Sequence, residues 1–152
     1  MAIEIDLRIE DEKWKQLGDI DAICNRAVNA AANITKQDDA KLDLLLAGDD
    51  VLAELNQQWR GKTGPTDVLS FPAAPNPEHF LGDIAIAYDI AARDADKSSV
   101  SIAAHLSHLL VHGFLHLLGH DHVGDDEAEH MEAIECEVLA SLGIANPYSR
   151  IA

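Results

Sequence analysis

The stretch SSVSIAAHLSHLLVHGFLHLLGHDH, residues 98–122, decides how this chain is expected to fold. Its apolar residues recur every three or four positions, which predicts a long helix from about Ser98 to Leu118 with one apolar face. Gly119 follows directly, and a glycine in a left-handed conformation commonly ends a helix and turns the chain back. We therefore expect the fold to be organised around one long helix and the turn after it.

Strands and helices alternate before this helix. Residues Ala2–Glu10 alternate apolar and charged side chains, as in a half-buried strand, and residues from about Asp11 to Asn33 have the apolar spacing of a helix. A second strand is predicted at Leu42–Ala47. The two acidic residues that follow, Asp49 and Asp50, can cap a second helix.

The remaining elements follow the glycines and proline of residues 61–65. Two strands are predicted at Asp67–Phe71 and Gly82–Ala87, separated by an irregular loop rich in proline. A helical stretch at Tyr88–Asp94 precedes the long helix, and a last helix runs from about Asp125 to Leu142. We therefore predict the α+β class, with a small mixed sheet of about four strands packed with helices in a single domain, residues 1–152.

Composition is typical of one compact domain and not of a membrane protein. The 152 residues are 47% apolar, and no run reaches the length of about 18 apolar residues that spans a bilayer. The N-terminus lacks the basic and then apolar stretches of a signal peptide, so we expect a cytoplasmic protein with no membrane partner. Cys24 and Cys136 lie far apart in the sequence and are interpreted as buried small apolar residues.

The histidines of the long helix have the spacing of metal ligands. His112 and His116 are one helical turn apart, so both imidazoles can reach one ion, and the turn at Gly119 can deliver His122 to the same ion. Three imidazoles with an open fourth position are typical of a catalytic zinc, which lowers the pKa of a bound water to about 7. The alternative is a buried helix rich in hydrogen-bonded histidines. The three histidines together favour one zinc ion per chain.

The residue after the first of these histidines argues against a peptidase. The zinc-protease pattern HExxHxxGxxH has a glutamate there as general base, whereas this chain has Gly113. The spacing of the metal ligands is kept while the general base is missing. We therefore expect hydrolysis of a bond other than a peptide bond, or a general base from another part of the chain. A metal-dependent peptidase or another small hydrolase is the second interpretation.

Two segments resemble the YbeY endoribonuclease family. The string HGFLHLLGHDH, residues 112–122, is similar to the family signature HGxLHLxGYDH, and LNQQWRGKTGPTDVLSFP, residues 55–72, is similar to LNxxyRgkxxpTDVLSFP. The sequence GDI at residues 82–84 matches a further family strand, and the similarity extends from about residue 42 to 148. The resemblance implies a bacterial, zinc-dependent, single-strand-specific endoribonuclease that matures ribosomal RNA, especially the 3′ end of 16S rRNA, and acts in ribosome quality control.

The chain departs from the family signature at His120, where the family usually has tyrosine. His116 and His120 form a second pair one turn apart, but Gly119 should end the helix before His120. Because the family's third ligand also matches His122, we expect His122 to complete the metal site. Asp121 is interpreted either as a carboxylate that orients a ligand ring or as a turn residue.

Three further residues are candidates for contact with the substrate. Arg60 offers a rigid bidentate fork to a phosphate, although the helix dipole alone would also explain an arginine at a helix end. The family match favours a catalytic and substrate-binding role for Arg60. Lys62 lies in the same loop and is expected to bind substrate as well. His108, one turn before His112, matches a frequent family histidine and is expected either to bind substrate or to support the metal site.

The net charge of −16 fits an RNA substrate least well, because nucleic-acid binders usually carry a basic face. Residues 98–149 contain no Lys or Arg and these acidic residues: Asp121, Asp125, Asp126, Glu127, Glu129, Glu132, Glu135 and Glu137. We interpret this run as a solvated face, and expect RNA binding to be weak and strongly dependent on salt. The expected partners are single-stranded rRNA and the ribosome or its subunits. One alternative is that a ribosomal protein or an assembly GTPase delivers the RNA. Another is that the protein is a non-catalytic assembly factor with a structural zinc.

Overall fold

The computed structural model describes residues 2–120 and 124–148. In chain order its elements are β1 (Ile3–Ile9), a 3-10 helix (Glu12–Leu17), α1 (Ile20–Thr35), β2 (Ala40–Ala47), α2 (Asp49–Arg60), β3 (Val68–Pro72), β4 (Phe80–Ala87), α3 (Tyr88–Lys97), α4 (Ile102–Leu117) and α5 (Asp125–Ser141). The predicted strands and the later helices are present, with ends that differ from the prediction by a few residues, while the first predicted helix is divided into two.

The four strands form one mixed sheet in the order β1-β2-β4-β3. β1, β2 and β4 run parallel, and β3 pairs antiparallel with β4 at the edge of the sheet. The chain reaches parallel neighbours through helices, since parallel strands need a crossover connection. The prediction of an α+β fold with a small mixed sheet is confirmed.

The two faces of the sheet are covered unequally. On one face, alternate residues of the central strands, such as Leu44 and Ile84, pack against α1, α4 and α5 in the main core. On the other face, α2 covers a smaller cluster that includes Leu52, Leu69 and Ala85. The part of this second face over β1, β2 and β4 carries exposed acidic side chains, and we call it the open face.

Trp14 and Gly18 explain why the first predicted helix is divided into two. The prediction of one helix from Asp11 to Asn33 is wrong, because Gly18 adopts a φ of +91° and ends the 3-10 helix. Asp19 then caps α1 by accepting a hydrogen bond from the backbone N–H of Ala22 at 3.1 Å. Trp14 is fully buried and donates its indole N–H to the carbonyl of Ala47 at 3.0 Å. The short helix thereby fixes this tryptophan over the end of β2.

α2 and α4 begin differently from the sequence prediction. Gly48 is the N-cap of α2, so Asp49 and Asp50 lie inside the first turn and not at the cap. Asp50 still accepts a hydrogen bond from the N–H of Val51 in this turn at 3.0 Å. α4 begins at Ile102 and not at Ser98, because the side chain of Ser101 accepts from the N–H of Ala104 at 3.0 Å and caps the helix there.

α4 is the central helix of the main core. Its fully buried residues include Leu110, Phe114 and Leu115. Within the described parts of the chain, no single helix is long and apolar enough to cross a membrane, while α3 and α4 together meet that test across a bend of 112°.

Candidate active site

A cavity of about 720 Å³ lies beside the C-terminal half of α4. Its lining comes from four parts of the chain: His112 and His116 of α4, Gly119 and His120 of the following turn, Arg60 at the end of α2, and Thr66, Asp67, Val68, Ser70 and Pro72 of the loop and strand β3. The two histidines and the arginine singled out in the sequence therefore meet in one cavity.

The end of α4 is a Schellman motif. The N–H of His120 donates to the carbonyl of Leu115 and the N–H of Gly119 donates to the carbonyl of His116, both at 3.0 Å. Gly119 has a φ of +99°, a conformation that favours glycine. The prediction that Gly119 ends the helix is confirmed, and the chain leaves the helix before His120.

His112 and His116 point their Nε2 atoms at each other, 3.1 Å apart, with ring centroids 4.7 Å apart. Two nitrogens that each lie 2.0–2.1 Å from a tetrahedral zinc are about 3.4 Å apart. The observed separation is close to that value, so this pair fits two ligands of one zinc ion.

Behind His112, a buried carboxylate fixes the orientation of the ring. Glu135 of α5 is only 1% exposed, and its Oε1 accepts from His108 Nε2 at 2.9 Å, from His112 Nδ1 at 3.3 Å and from the hydroxyl of Tyr148 at 3.0 Å. An ionised carboxylate only accepts hydrogen bonds, so Nδ1 of His112 carries the proton and Nε2 presents its lone pair. This is the tautomer that binds a metal through Nε2.

The electrostatics of Glu135 are set by its partners. Burial opposes the charge of this carboxylate, but the hydrogen bonds and charges of His108 and His112 together outweigh it and lower the pKa of Glu135 to about 2. Tyr148, in contact with this carboxylate, has a raised pKa because of its burial and the negative charge of Glu135. Glu135 is therefore an ionised acceptor and Tyr148 a neutral donor.

Glu135 corrects the interpretation of the acidic run as a solvated face. The seven other acidic residues of this run gave no indication that Glu135 would be buried. The signal was available in the spacing, because Glu135 falls four residues after Met131 and three before Val138, both buried on the same side of α5. Of the cysteines, Cys24 is buried as predicted, whereas Cys136 is partly exposed and donates to Asn146.

At Gly113, α4 packs closely against β3 and β4. A Cβ at this position would lie 3.1 Å from Ile84 Cγ2 and 3.1 Å from Ser70 Oγ, both tighter than ordinary contacts. The hydroxyl of Ser70 also donates to the carbonyl of Gly113 at 3.4 Å. A side chain at the position of the zinc-protease glutamate would therefore be crowded by β3 and β4.

The predicted substrate residues have different positions. Arg60 is exposed and lines the same cavity as the two histidines. Lys62 is exposed and is not among the residues that line the cavity. His108 lies behind the site, where it borders a separate small cavity with Tyr148. Of the two roles predicted for His108, support of the metal site agrees with its contact to Glu135.

His120 lines the cavity but leans toward α5. Its ring lies 5.7 Å from that of His130, and burial and the nearby His130 lower the pKa of His120. Among residues 2–120 and 124–148, no three His, Cys, Asp or Glu side chains form a group that could hold a metal. The predicted third ligand His122 and the predicted orienting residue Asp121 lie outside the described residues.

Comparison with known proteins gives the class of the protein. The family profile described as Endoribonuclease YbeY matches residues 6–143. A protein named Endoribonuclease YbeY from Maricaulis maris is 46% identical over 95% of this chain and 91% of its own length, and one from Rhodopseudomonas palustris is 48% identical over 90% and 86%. The protein is thus a nuclease, a type of hydrolase.

A solved structure has a similar fold. The solution structure of a Thermotoga maritima protein matches with a TM-score of 0.60 and 26% identity, over 93% of this chain and 91% of the other. The chain belongs to the YbeY endoribonuclease family, as its sequence motifs indicated, and is an RNA endonuclease.

Proposed function

We propose that this endoribonuclease uses one zinc ion held by His112, His116 and His122 and cleaves single-stranded ribosomal RNA. The observation that carries the proposal is the pair of Nε2 atoms, 3.1 Å apart, in the cavity that Arg60 shares. His122 is proposed from the spacing of the motif and the end of α4 at Gly119.

The protein's own residues supply orientation and charge. Glu135 keeps the proton of His112 on Nδ1, so that the opposite nitrogen faces the cavity. Arg60 is placed to donate to phosphoryl oxygens and to neutralise the charge that develops on them. A bound zinc supplies Lewis acidity at a phosphoryl oxygen and activates a water molecule.

The geometry around Gly113 supports RNA over peptide as the substrate. A peptidase of the HExxH type needs a carboxylate at this position, whereas this chain has Gly113, where a Cβ would already lie 3.1 Å from Ile84 and Ser70. Glu135 does not replace it, because its carboxylate faces Nδ1 of His112 and is buried away from the cavity.

The family and the motifs support a more specific assignment. We propose maturation of the 3′ end of 16S rRNA and a part in ribosome quality control, in the cytoplasm, with the ribosome or its subunits as partners. A ribosomal protein or an assembly GTPase would deliver the RNA, because a chain with a net charge of −16 binds a polyanion weakly on its own.

The test compares three substrates with one zinc-loaded preparation: a single-stranded RNA, the same RNA annealed to its complement, and a peptide. We expect cleavage of the single strand only. Arg60→Ala should keep its zinc and lower kcat/KM for RNA by roughly 10- to 150-fold, the effect of losing a charged hydrogen bond. Higher salt should weaken RNA binding.

Arg93→Ala is the matched control, because Arg93 is exposed on α3 and lines neither this cavity nor the open face. It should cleave RNA as the wild type does. Peptide cleavage would refute RNA as the substrate class, and full RNA cleavage by Arg60→Ala would refute the proposed role of Arg60. A zinc-loaded wild type that cleaves neither substrate would favour a non-catalytic assembly factor.

A further inference from the structure

Trp59 is a large aromatic side chain that the fold leaves in solvent. It is 65% exposed, although it lies on the last turn of α2 directly before Arg60. Phe71 of β3 packs against it, with ring centroids 6.3 Å apart and an angle of 61° between the planes. The indole is therefore supported from one side while most of its surface stays accessible.

Trp59 borders a second cavity that adjoins the histidine cavity. This second cavity, of about 670 Å³, lies on the open face and is lined by Leu55, Trp59, Phe71 and residues of β1, β2 and β4. Pro72 lines both cavities. A strand of RNA that leaves the histidines past Pro72 therefore enters the cavity that Trp59 borders.

The charges of the open face determine how a nucleotide would lie there. Asp6, Asp43 and Asp83 are neighbours in register on three adjacent strands and line the second cavity. These three carboxylates outnumber Arg8, which lines the same cavity, so the lining repels phosphates on balance, and each carboxylate can accept a hydrogen bond from the N–H groups that every base carries. A nucleotide is thus favoured with its base toward the groove and its phosphate toward Arg60.

We propose that Trp59 is a stacking subsite for one nucleobase, next to the phosphate bound by Arg60. This inference rests on the proposed function and extends it to a residue that holds the substrate. Stacking on an aromatic ring accepts any base, because every base has a π-face. The subsite therefore contributes affinity and register for a single strand and little sequence preference.

The test uses the two tryptophans of the chain, which differ in exposure. Trp14 is fully buried, so a change in fluorescence on binding reports Trp59. We expect single-stranded hexauridylate and hexaadenylate to quench the fluorescence of the zinc-loaded protein with affinities within a few-fold of each other. An abasic oligomer with the same phosphates should quench much less.

Variants separate stacking from folding. Trp59→Ala should weaken hexauridylate binding and raise KM by roughly 5- to 150-fold with a smaller change in kcat. Trp59→Phe should lose the fluorescence signal yet keep cleavage within a few-fold, because phenylalanine also stacks. Gln58→Ala, an exposed neighbour on the same helix that lines neither cavity, is the control and should behave as the wild type. Zinc content and melting temperature are measured for each.

The outcomes distinguish this subsite from the proposed function. If the wild type cleaves single-stranded RNA and folded Trp59→Ala does so with an unchanged KM, the subsite is refuted. The second cavity would then be a site for a protein partner and not for RNA. Equal quenching by the abasic oligomer refutes stacking as well. If the wild type cleaves no RNA, the proposed function fails before the subsite is tested by cleavage, and quenching by the oligomers still decides whether Trp59 binds bases.

Discussion

Two carboxylates on opposite sides of the sheet have pKa values shifted in opposite directions. Glu135 is almost fully buried, and its pKa is lowered to about 2. Asp83 is exposed on the open face, and its pKa is raised by partial burial, by the charge of Asp43 and by a hydrogen bond with Asp43. The more buried group is the stronger acid.

The difference shows that the partners of a carboxylate can reverse the effect of burial on its pKa. Three donors, from His108, His112 and Tyr148, converge on one oxygen of Glu135. At Asp83, burial is the largest cause of the raised pKa, and the carboxylate of Asp43 beside it adds to the rise. The donors at Glu135 thus reverse the effect of burial, whereas the neighbour of Asp83 reinforces it.

The largest effect is expected from the histidines that Glu135 supports. Metal analysis should find about one equivalent of zinc in the wild type, by the one-ion geometry of such sites. His112→Ala, His116→Ala and His122→Ala should lose nearly all of it, and His120→Ala should lose little. RNA cleavage should fall in parallel.

His120→Ala is the decisive control in this series. Zinc retained by His122→Ala and lost by His120→Ala would make the histidine next to Gly119 the third ligand. It would also overturn the conclusion that the turn carries the chain past His120 before it reaches the ion.

An intermediate effect is expected when Glu135 loses its charge. Glu135→Gln keeps the shape but weakens acceptance from three donors, so the dissociation constant for zinc should rise by about 10- to 100-fold. Competition with a chelator measures this directly, without any substrate. Glu137→Gln, at an exposed position on the same helix, should leave zinc affinity unchanged.

Unchanged zinc affinity in a folded Glu135→Gln variant would contradict this prediction, and Glu135 would then contribute only to packing. The melting temperature of the zinc-free variant distinguishes the two cases, because a packing defect lowers stability in the absence of metal as well.

The smallest effect, with the opposite sign, is expected at Asp83. A carboxyl whose pKa is raised by folding destabilises the protein once it ionises, so the penalty is absent below the unfolded pKa of about 3.9 and complete above the raised value. Asp83→Asn should therefore raise stability at neutral pH by less than about 1 kcal/mol, since solvent screens this exposed group, and change little near about pH 3.

Thermal unfolding at the two pH values measures this difference. Asp38→Asn, in an exposed loop, is the control and should show no comparable gain at neutral pH. Destabilisation by Asp83→Asn at neutral pH would mean that the open face needs this charge, and the contrast with Glu135 would fail.

Local patterns predicted the fold and part of the site. The spacing of His112 and His116 depends only on a few consecutive residues, and so does the end of the helix at Gly119. Both are found in the structure. Glu135 was missed because its neighbours in sequence are acidic, while its partners come from α4 and the C-terminal segment. The break at Gly18 was missed because apolar periodicity continues across it.

Gly113 has one more consequence, for attempts to give this scaffold a new activity. Side chains of the sheet lie directly against the helix backbone at this glycine, so an added Cβ would be 3.1 Å from both Ile84 Cγ2 and Ser70 Oγ. A designer who restores the protease glutamate here must therefore also make room at Ile84 and Ser70. The step toward peptide cleavage thus needs coordinated changes on two strands and not one substitution alone.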